Sequence, residues 1–198
     1  SRRCVVPCLQ PVWRQRLRAY VGPASRCTEA EQRPTLAHKL KLVTVLRMIE
    51  SEFISWEAPD GDHPARRLSQ RSYDAVSRKA KEEWLELFAE DALLEDPVGP
   101  SFFDPEGKGH RGRDGISAFW DMAIAPVQQF RFTIRDSFAN GNACANIGTF
   151  STVMEDGTLA DTDLIATYVI TDGDDPKITS MRAHWEVERT LATVRKPE

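Results

Sequence analysis

The chemistry of this chain is best sought first at a carboxylate set between apolar residues and a proline turn. Asp96 follows Leu93-Leu94-Glu95 and precedes Pro97-Val98-Gly99-Pro100. An ionised carboxylate is costly to bury without partners. That cost also moves its pKa toward neutrality, where it can take up and return a proton. The competing reading is that Asp96 only opens a turn, as Asp before Pro often does. His184 and Trp185 form a second candidate pair. Neighbours on a strand face opposite ways, so one of the two should point inward. His184 could there act as acid, donor or second base, or simply sit on a partly exposed strand. His110 lies in a glycine-rich loop and reads as a solvated turn residue. Asp172, Asp174 and Asp175 resemble a calcium loop only superficially, because Ala183 stands where a bidentate Glu is needed. No cysteine pair has zinc-site spacing, and no nucleotide or flavin motif occurs, so no cofactor or metal is expected.

These groups need a frame to position them. The chain has 198 residues, 41% hydrophobic and 28% charged, which suits one globular domain with something left over. No apolar run approaches the ~18 residues of a membrane span. Residues 1–47 carry ten Lys or Arg against Glu29 and Glu31, a net of +8. The remaining residues carry 16 basic against 28 acidic, a net of −12. An acidic body argues against a nucleic-acid partner. Cys4, Cys8 and Cys27 lie in the basic head and Cys144 stands alone in the body. With no signal-peptide pattern, reduced thiols in a cytoplasm are expected.

The basic head admits three readings. It is a surface-binding arm, with Arg14, Arg16 and Arg18 around Trp13 and Leu17; an Arg-rich targeting segment; or a solvated, weakly ordered extension. A variant of the last makes Met48 the natural start. We divide the chain into residues 1–62, a poorly ordered extension ending in a linker over Ser51–His63, and a domain over 63–192.

From Pro64 the pattern is helical, with Leu68, Tyr73, Val76 and Ala80 on one side. A second helical run holds Trp84, Leu85, Leu87 and Phe88 and ends near Asp91-Ala92. Leu93 to Asp96 reads as a brief strand. The loop from Ser101 to His110 carries Phe102 and Phe103, aromatics suited to capping a pocket. A third helix runs from Ile116 to Ala123, with Asp114 as its N-cap and Pro126 as its stop. The period then becomes two. Gln129–Ala139, Asn142–Glu155, Thr158–Thr171 and Lys177–Arg189 read as strands, joined by turns at Asn140-Gly141, Asp156-Gly157 and Asp172–Pro176. Helices segregated to one side of a curved antiparallel meander make an α+β arrangement enclosing an apolar pocket, with Asp96 at its wall.

The stretch Leu87-Phe88-Ala89-Glu90-Asp91-Ala92-Leu93-Leu94-Glu95-Asp96-Pro97-Val98-Gly99 resembles the ketosteroid isomerases, where a segment like LFADDATVEDPVG ends in the general-base Asp. Gly112–Ile116 is similar to that family's third-helix start, and Ser180-Met181-Arg182-Ala183 to its last-strand SMRA. The resemblance spans about residues 65–188. It implies the cone-shaped α+β barrel of the nuclear transport factor 2-like superfamily, with three N-terminal helices packed on a curved antiparallel sheet. It also implies cofactor-free proton transfer on a steroid or similar apolar ring ketone, and a homodimer. Ketosteroid isomerase is itself a standard case of an Asp base working with a Tyr donor and a protonated Asp donor.

Carried over residue by residue, Asp96 falls on the base. Ser72 falls on the Tyr donor in a gapless count, and one residue fewer in the next turn puts Tyr73 there instead. Ala166 falls on the donor Asp, and Asp163 would need a bulge to turn inward. The implied catalytic residues are Asp96, Tyr73 and His184, and the implied ligand-lining residues are Phe88, Phe103, Trp120, Tyr168 and Trp185. A lyase, cyclase or hydrolase using Asp96 with His184 remains open, as does a noncatalytic ligand-binding or dimerisation module.

Overall fold

Pro64 supplies the fixed φ of a first helical turn, and α1 runs from Pro64 to Ser77. His63 caps it, its Nδ1 accepting from the Ala65 N–H at 3.2 Å. Spacings of three and four put Leu68, Ser69, Ser72, Tyr73 and Val76 on the buried side. This is a computed structural model, describing residues 53–59 and 61–196. All of these belong to one compact unit, Leu40–Glu198. The readings of the basic head lie outside the described residues.

The second helix, α2, is shorter than its pattern predicts, spanning only Lys81–Leu85. The chain is already extended at Phe88, and β2 covers Phe88–Glu95. A register shift between Phe88 and Leu93 interrupts the pairing of β2 with β7, Ile178–His184. That irregularity removes the two-residue alternation by which a strand is read, leaving the apolar spacing of Trp84, Leu85, Leu87 and Phe88 to mimic a helix. A two-residue strand, β3 at His110–Arg111, pairs antiparallel with Leu93 and Leu94. The third helix, α3, spans Gly112–Phe119. Its N-cap is Arg111, not Asp114, which sits in the first turn where a carboxylate suits the helix dipole. A π-helical turn, Trp120–Ile124, carries the chain to Pro126.

The meander follows the predicted order: β4 (Val127–Asn140), β5 (Ala143–Met154), β6 (Leu159–Ile170), then β7. Gly141 and Gly157 take φ of 60° and 78° at the two tight turns. Two segments depart from expectation. Ile54–Trp56, placed in the linker, forms β1 and pairs parallel with Phe132–Ile134 of β4. The last strand stops at His184, and Val187–Leu191 forms a short helix, α4.

The sheet order is β1-β4-β5-β6-β7-β2-β3. The sheet is curved and antiparallel-rich but does not close, as the fold class requires of a cone with helices on its concave side. Strand β4 carries a bulge between Ile134 and Asp136. Before it, Phe130, Phe132 and Ile134 face inward; after it, Ser137 is buried and Phe138 is 60% exposed. One extra residue has swapped the parity of the strand. Among the described residues, no helix is long and apolar enough to cross a membrane.

Candidate active site

Two parallel strands deliver the carboxylate and its partner to the same end of the cone. Leu94 and Glu95 of β2 lie opposite Met181 and Arg182 of β7, and the Val98 N–H donates to the Ala183 carbonyl at 2.9 Å. Asp96 and Trp185 follow just beyond. Trp185 Nε1 donates to Asp96 Oδ1 at 2.5 Å. Asp96 Oδ2 has no hydrogen-bond partner among the described residues. The cavity leaves part of this carboxylate accessible, yet protein surrounds it on every side. Loss of hydration is the dominant influence and pushes its pKa up to about 6, with the Trp185 N–H pulling the other way.

The cavity has a volume of about 470 Å³ and a largely apolar wall, within the range of about 300–1,000 Å³ typical of small-molecule sites. Phe130, Phe132 and Phe150 line it on the sheet side. Phe102 and Phe103 line it from the loop after Asp96, with Phe102 in edge contact with Trp185 at 6.4 Å and Phe103 with Phe119 at 5.9 Å. Asp104 shapes that loop, its carboxylate accepting from the Gly109 and Gly107 N–H groups at 2.6 and 3.1 Å.

Tyr73 and Ser72 both line the cavity, so the ambiguity of register resolves into two neighbouring hydroxyls. Ser72 Oγ accepts from Trp84 Nε1 at 2.9 Å. Tyr73 Oη accepts from Asn146 Nδ2 at 2.9 Å. The Tyr168 ring stands edge-on to Tyr73 at 6.0 Å. Its buried hydroxyl neighbours those of Tyr73 and Ser72 but makes no well-formed hydrogen bond among the described residues. Burial raises the pKa of both tyrosines, so both stay protonated and able to donate at neutral pH.

The structure thus brings Asp96, Tyr73, Phe103, Tyr168 and Trp185 to one cavity. It does not bring three other predicted residues there. His184 is exposed on the outward parity of β7, while Met181, Ala183 and Trp185 take the inward side. Phe88 and Trp120 are buried but stand behind the wall, their rings 4.8 and 5.2 Å from that of Trp84. Both back Trp84, which itself lines the cavity. Ala166 faces inward with no polar atom to offer. The β5–β6 register runs unbroken, so Asp163 stays outside, accepting from Thr149 Oγ1 at 2.5 Å, and Asp161 pairs with Arg195 at 2.8 Å. Sequence reasoning missed Asn146 and Ser137. Asn146 shares strand parity with Cys144, an inward signal present in the alternation, whereas Ser137 turns inward only because of the β4 bulge.

Comparison with known proteins agrees with this geometry. RV0760c from Mycobacterium tuberculosis is 27% identical over 69% of this chain and 98% of its own, with a TM-score of 0.61. The same protein in complex with estradiol-17β-hemisuccinate gives 28% identity over 68% and 99%, with a TM-score of 0.60. The Δ5-3-ketosteroid isomerase from Mycobacterium sp. is 29% identical over 68% of this chain and 98% of its own, with a TM-score of 0.59. No match was found among curated protein sequences. The family model for the SnoaL-like domain matches residues 69–181, more than half of the chain and the whole path from α1 through Asp96 into β7. This chain therefore belongs to the SnoaL-like domain family.

Proposed function

We propose that this protein is a cofactor-free isomerase moving a proton on a steroid or similar fused-ring ketone, with Asp96 as the shuttle. The observation that carries the reading is the Asp96 carboxylate, held by one oxygen and otherwise facing an apolar cavity. Its pKa near 6 leaves it mostly ionised at neutral pH yet basic enough to lift a proton from carbon beside a carbonyl. Oδ2 takes that proton while Trp185 steadies Oδ1. The electrons move onto the carbonyl oxygen, and the same carboxyl returns the proton to a different carbon. Hydrogen-bond donors at that oxygen are usually the largest source of rate. Tyr73 serves as the first donor, and Tyr168, whose hydroxyl makes no well-formed hydrogen bond among the described residues, serves in place of the Asp that Ala166 replaces. The ligand of RV0760c and the activity of the mycobacterial isomerase support the substrate class.

The test is an ultraviolet assay on a β,γ-unsaturated 3-ketosteroid, parent against Asp96→Asn. A new absorbance, as the double bond becomes conjugated, is expected from the parent alone. Turnover by both proteins, or by neither, overturns the proposal.

A homodimer formed through the outer sheet face completes the reading. Phe138 and Ile165 are 60% and 45% exposed there, on the side of the strands opposite the cavity, and exposed apolar surface of this kind favours cover. Sedimentation of the parent and of Phe138→Lys checks it: a parent that sediments as a monomer overturns it.

A further inference from the structure

A chain of hydrogen bonds runs from a surface guanidinium to the cavity. Arg66 Nε donates to Ser137 Oγ at 3.0 Å, and Arg66 Nη2 to the Ser137 carbonyl at 3.0 Å. Ser137 Oγ donates to Asn146 Oδ1 at 2.8 Å. Asn146 Nδ2 donates to Tyr73 Oη and to Ser69 Oγ, each at 2.9 Å. Ser69 Oγ in turn donates to the Arg66 carbonyl at 2.8 Å. Ser137, Asn146, Ser69 and Tyr73 are all buried.

The directions follow from the first bond together with the need to pair every buried donor. A guanidinium has five N–H donors and no acceptor. Ser137 must therefore accept from Arg66, and its one proton goes to Asn146, the other partner of Oγ among the described residues. Asn146 must then present its carbonyl oxygen to Ser137, which aims its amide N–H groups at Ser69 and Tyr73. The lone pairs of Tyr73 receive that N–H, so the Tyr73 proton turns away from Asn146, toward the cavity side where the Tyr168 hydroxyl also lies. Reversing the Asn146 amide would leave the buried Ser137 proton with no acceptor among the described residues, at the cost of an unmet polar group.

We propose that Arg66, Ser137 and Asn146 are positioning residues that commit Tyr73 to act as a hydrogen-bond donor toward a ligand carbonyl oxygen. The device rests on the proposed function for its ligand but not for its geometry. The charge of Arg66 polarises the chain, since consecutive hydrogen bonds strengthen one another in a low-dielectric interior. The site would thereby select ligands that place an acceptor at Tyr73, and the chain offers an alternative to a protonated carboxylic acid beside that oxygen.

The decisive variant is Asn146→Asp. It preserves shape, keeps an acceptor for Ser137 and gives Arg66 a nearby counter-charge, but it has no N–H for Tyr73. The Tyr73 proton would turn toward the new carboxylate and leave the cavity facing a lone pair. The probes are a conjugated 3-ketosteroid and its 3-deoxy analogue, titrated into both proteins, with thermal melting to establish folding. The parent is expected to prefer the ketone by about tenfold or more, as befits a buried hydrogen bond. In Asn146→Asp the preference should fall to about one while the melt is retained. An unchanged preference in the folded variant overturns the proposal.

A second measurement needs no ligand, so it decides the question even if the parent binds neither steroid, a result that would count against the proposed function alone. The side-chain amide protons of Asn146 should exchange slowly with solvent in the parent and show nuclear Overhauser contacts to the Tyr73 ring. In Arg66→Met, which keeps the aliphatic stem, exchange should quicken at least severalfold as the amide loses its fixed orientation. Fast exchange in the parent, or identical exchange in Arg66→Met, overturns the proposal.

Discussion

Trp185 Nε1 meets Asp96 Oδ1 at 2.5 Å, joining residues 89 positions apart through the parallel pairing of β2 and β7. The contact does two things at once: it fixes one carboxylate oxygen, and it holds down a pKa that burial drives up. Replacing Trp185 with Phe keeps an aromatic ring beside Phe102 but removes the N–H. The rising limb of the pH profile of kcat/KM should move to higher pH, and the rate at pH 7 should fall. Measuring kcat/KM between pH 4 and 9 in both proteins checks this.

Asp96→Asn separates binding from chemistry. Asn keeps an acceptor for Trp185 and fills the same volume, so steroid affinity should stay within a few-fold. Turnover should drop by about 10²–10⁴-fold, the usual worth of a positioned acid–base group. Calorimetric binding beside the ultraviolet assay distinguishes the two effects.

The same carboxylate makes stability depend on pH in a definite direction. Its pKa is raised from 3.8 to about 6 on folding. Well below pH 4 both folded and unfolded chains hold the proton and there is no penalty. As the pH rises from about 4 to 6 the unfolded chain loses its proton first, so this residue makes stability fall. Above pH 6 the cost is fully developed, at about 3 kcal/mol. Asp96→Asn should therefore be more stable than the parent at pH 7 by an amount of that order, with the difference shrinking toward pH 4. Urea unfolding across this range checks the sign.

Tyr168→Phe should pull stability and activity apart. The hydroxyl is buried with no well-formed hydrogen bond among the described residues, so its removal should leave the fold unchanged or stabilise it by about 1 kcal/mol. If that hydroxyl meets the developing oxyanion, kcat should fall by about tenfold to a hundredfold. Parallel melting curves and kinetics give both readings.

His184→Ala should leave kcat/KM within about twofold of the parent, because His184 is exposed on the far side of β7 from the cavity. A large loss would favour the lyase-like chemistry in which Asp96 and His184 act together, and steady-state kinetics decides it.

What could be read from the sequence followed the clarity of local pattern. The four long strands announced themselves by alternation and glycine turns, and α1 by its apolar spacing and Pro64. Strand β1 is three residues long and pairs parallel with β4, so neither length nor a hairpin turn marked it. At the site, Asp96, Tyr73, Phe103, Tyr168 and Trp185 reached the cavity because each lay on the inward side of its helix or strand, or in the segment just beyond it. Phe88 and Trp120 were correctly apolar but one layer too deep, a distinction that depends on packing against Trp84 rather than on spacing. His184 could not be separated from Trp185 until the register of β7 with β2 fixed which of them faced inward.

The bulge in β4 has a consequence on both sides of the sheet. Were the same residues paired without a bulge, regular alternation would continue the inward series of Phe130, Phe132 and Ile134 to Asp136 and Phe138. With it, Phe138 is delivered to the outside and a hydroxyl to the inside. Burying a phenylalanine side chain is worth roughly 2–3 kcal/mol, and the strand forgoes that gain to seat Ser137 against Asn146. A single bulge therefore decides what faces each side of the strand: a buried hydroxyl against Asn146 within, and the exposed Phe138 ring without. Ironing out the bulge would take both away in one step, so in this chain the wiring of the interior and the stickiness of the exterior cannot vary independently.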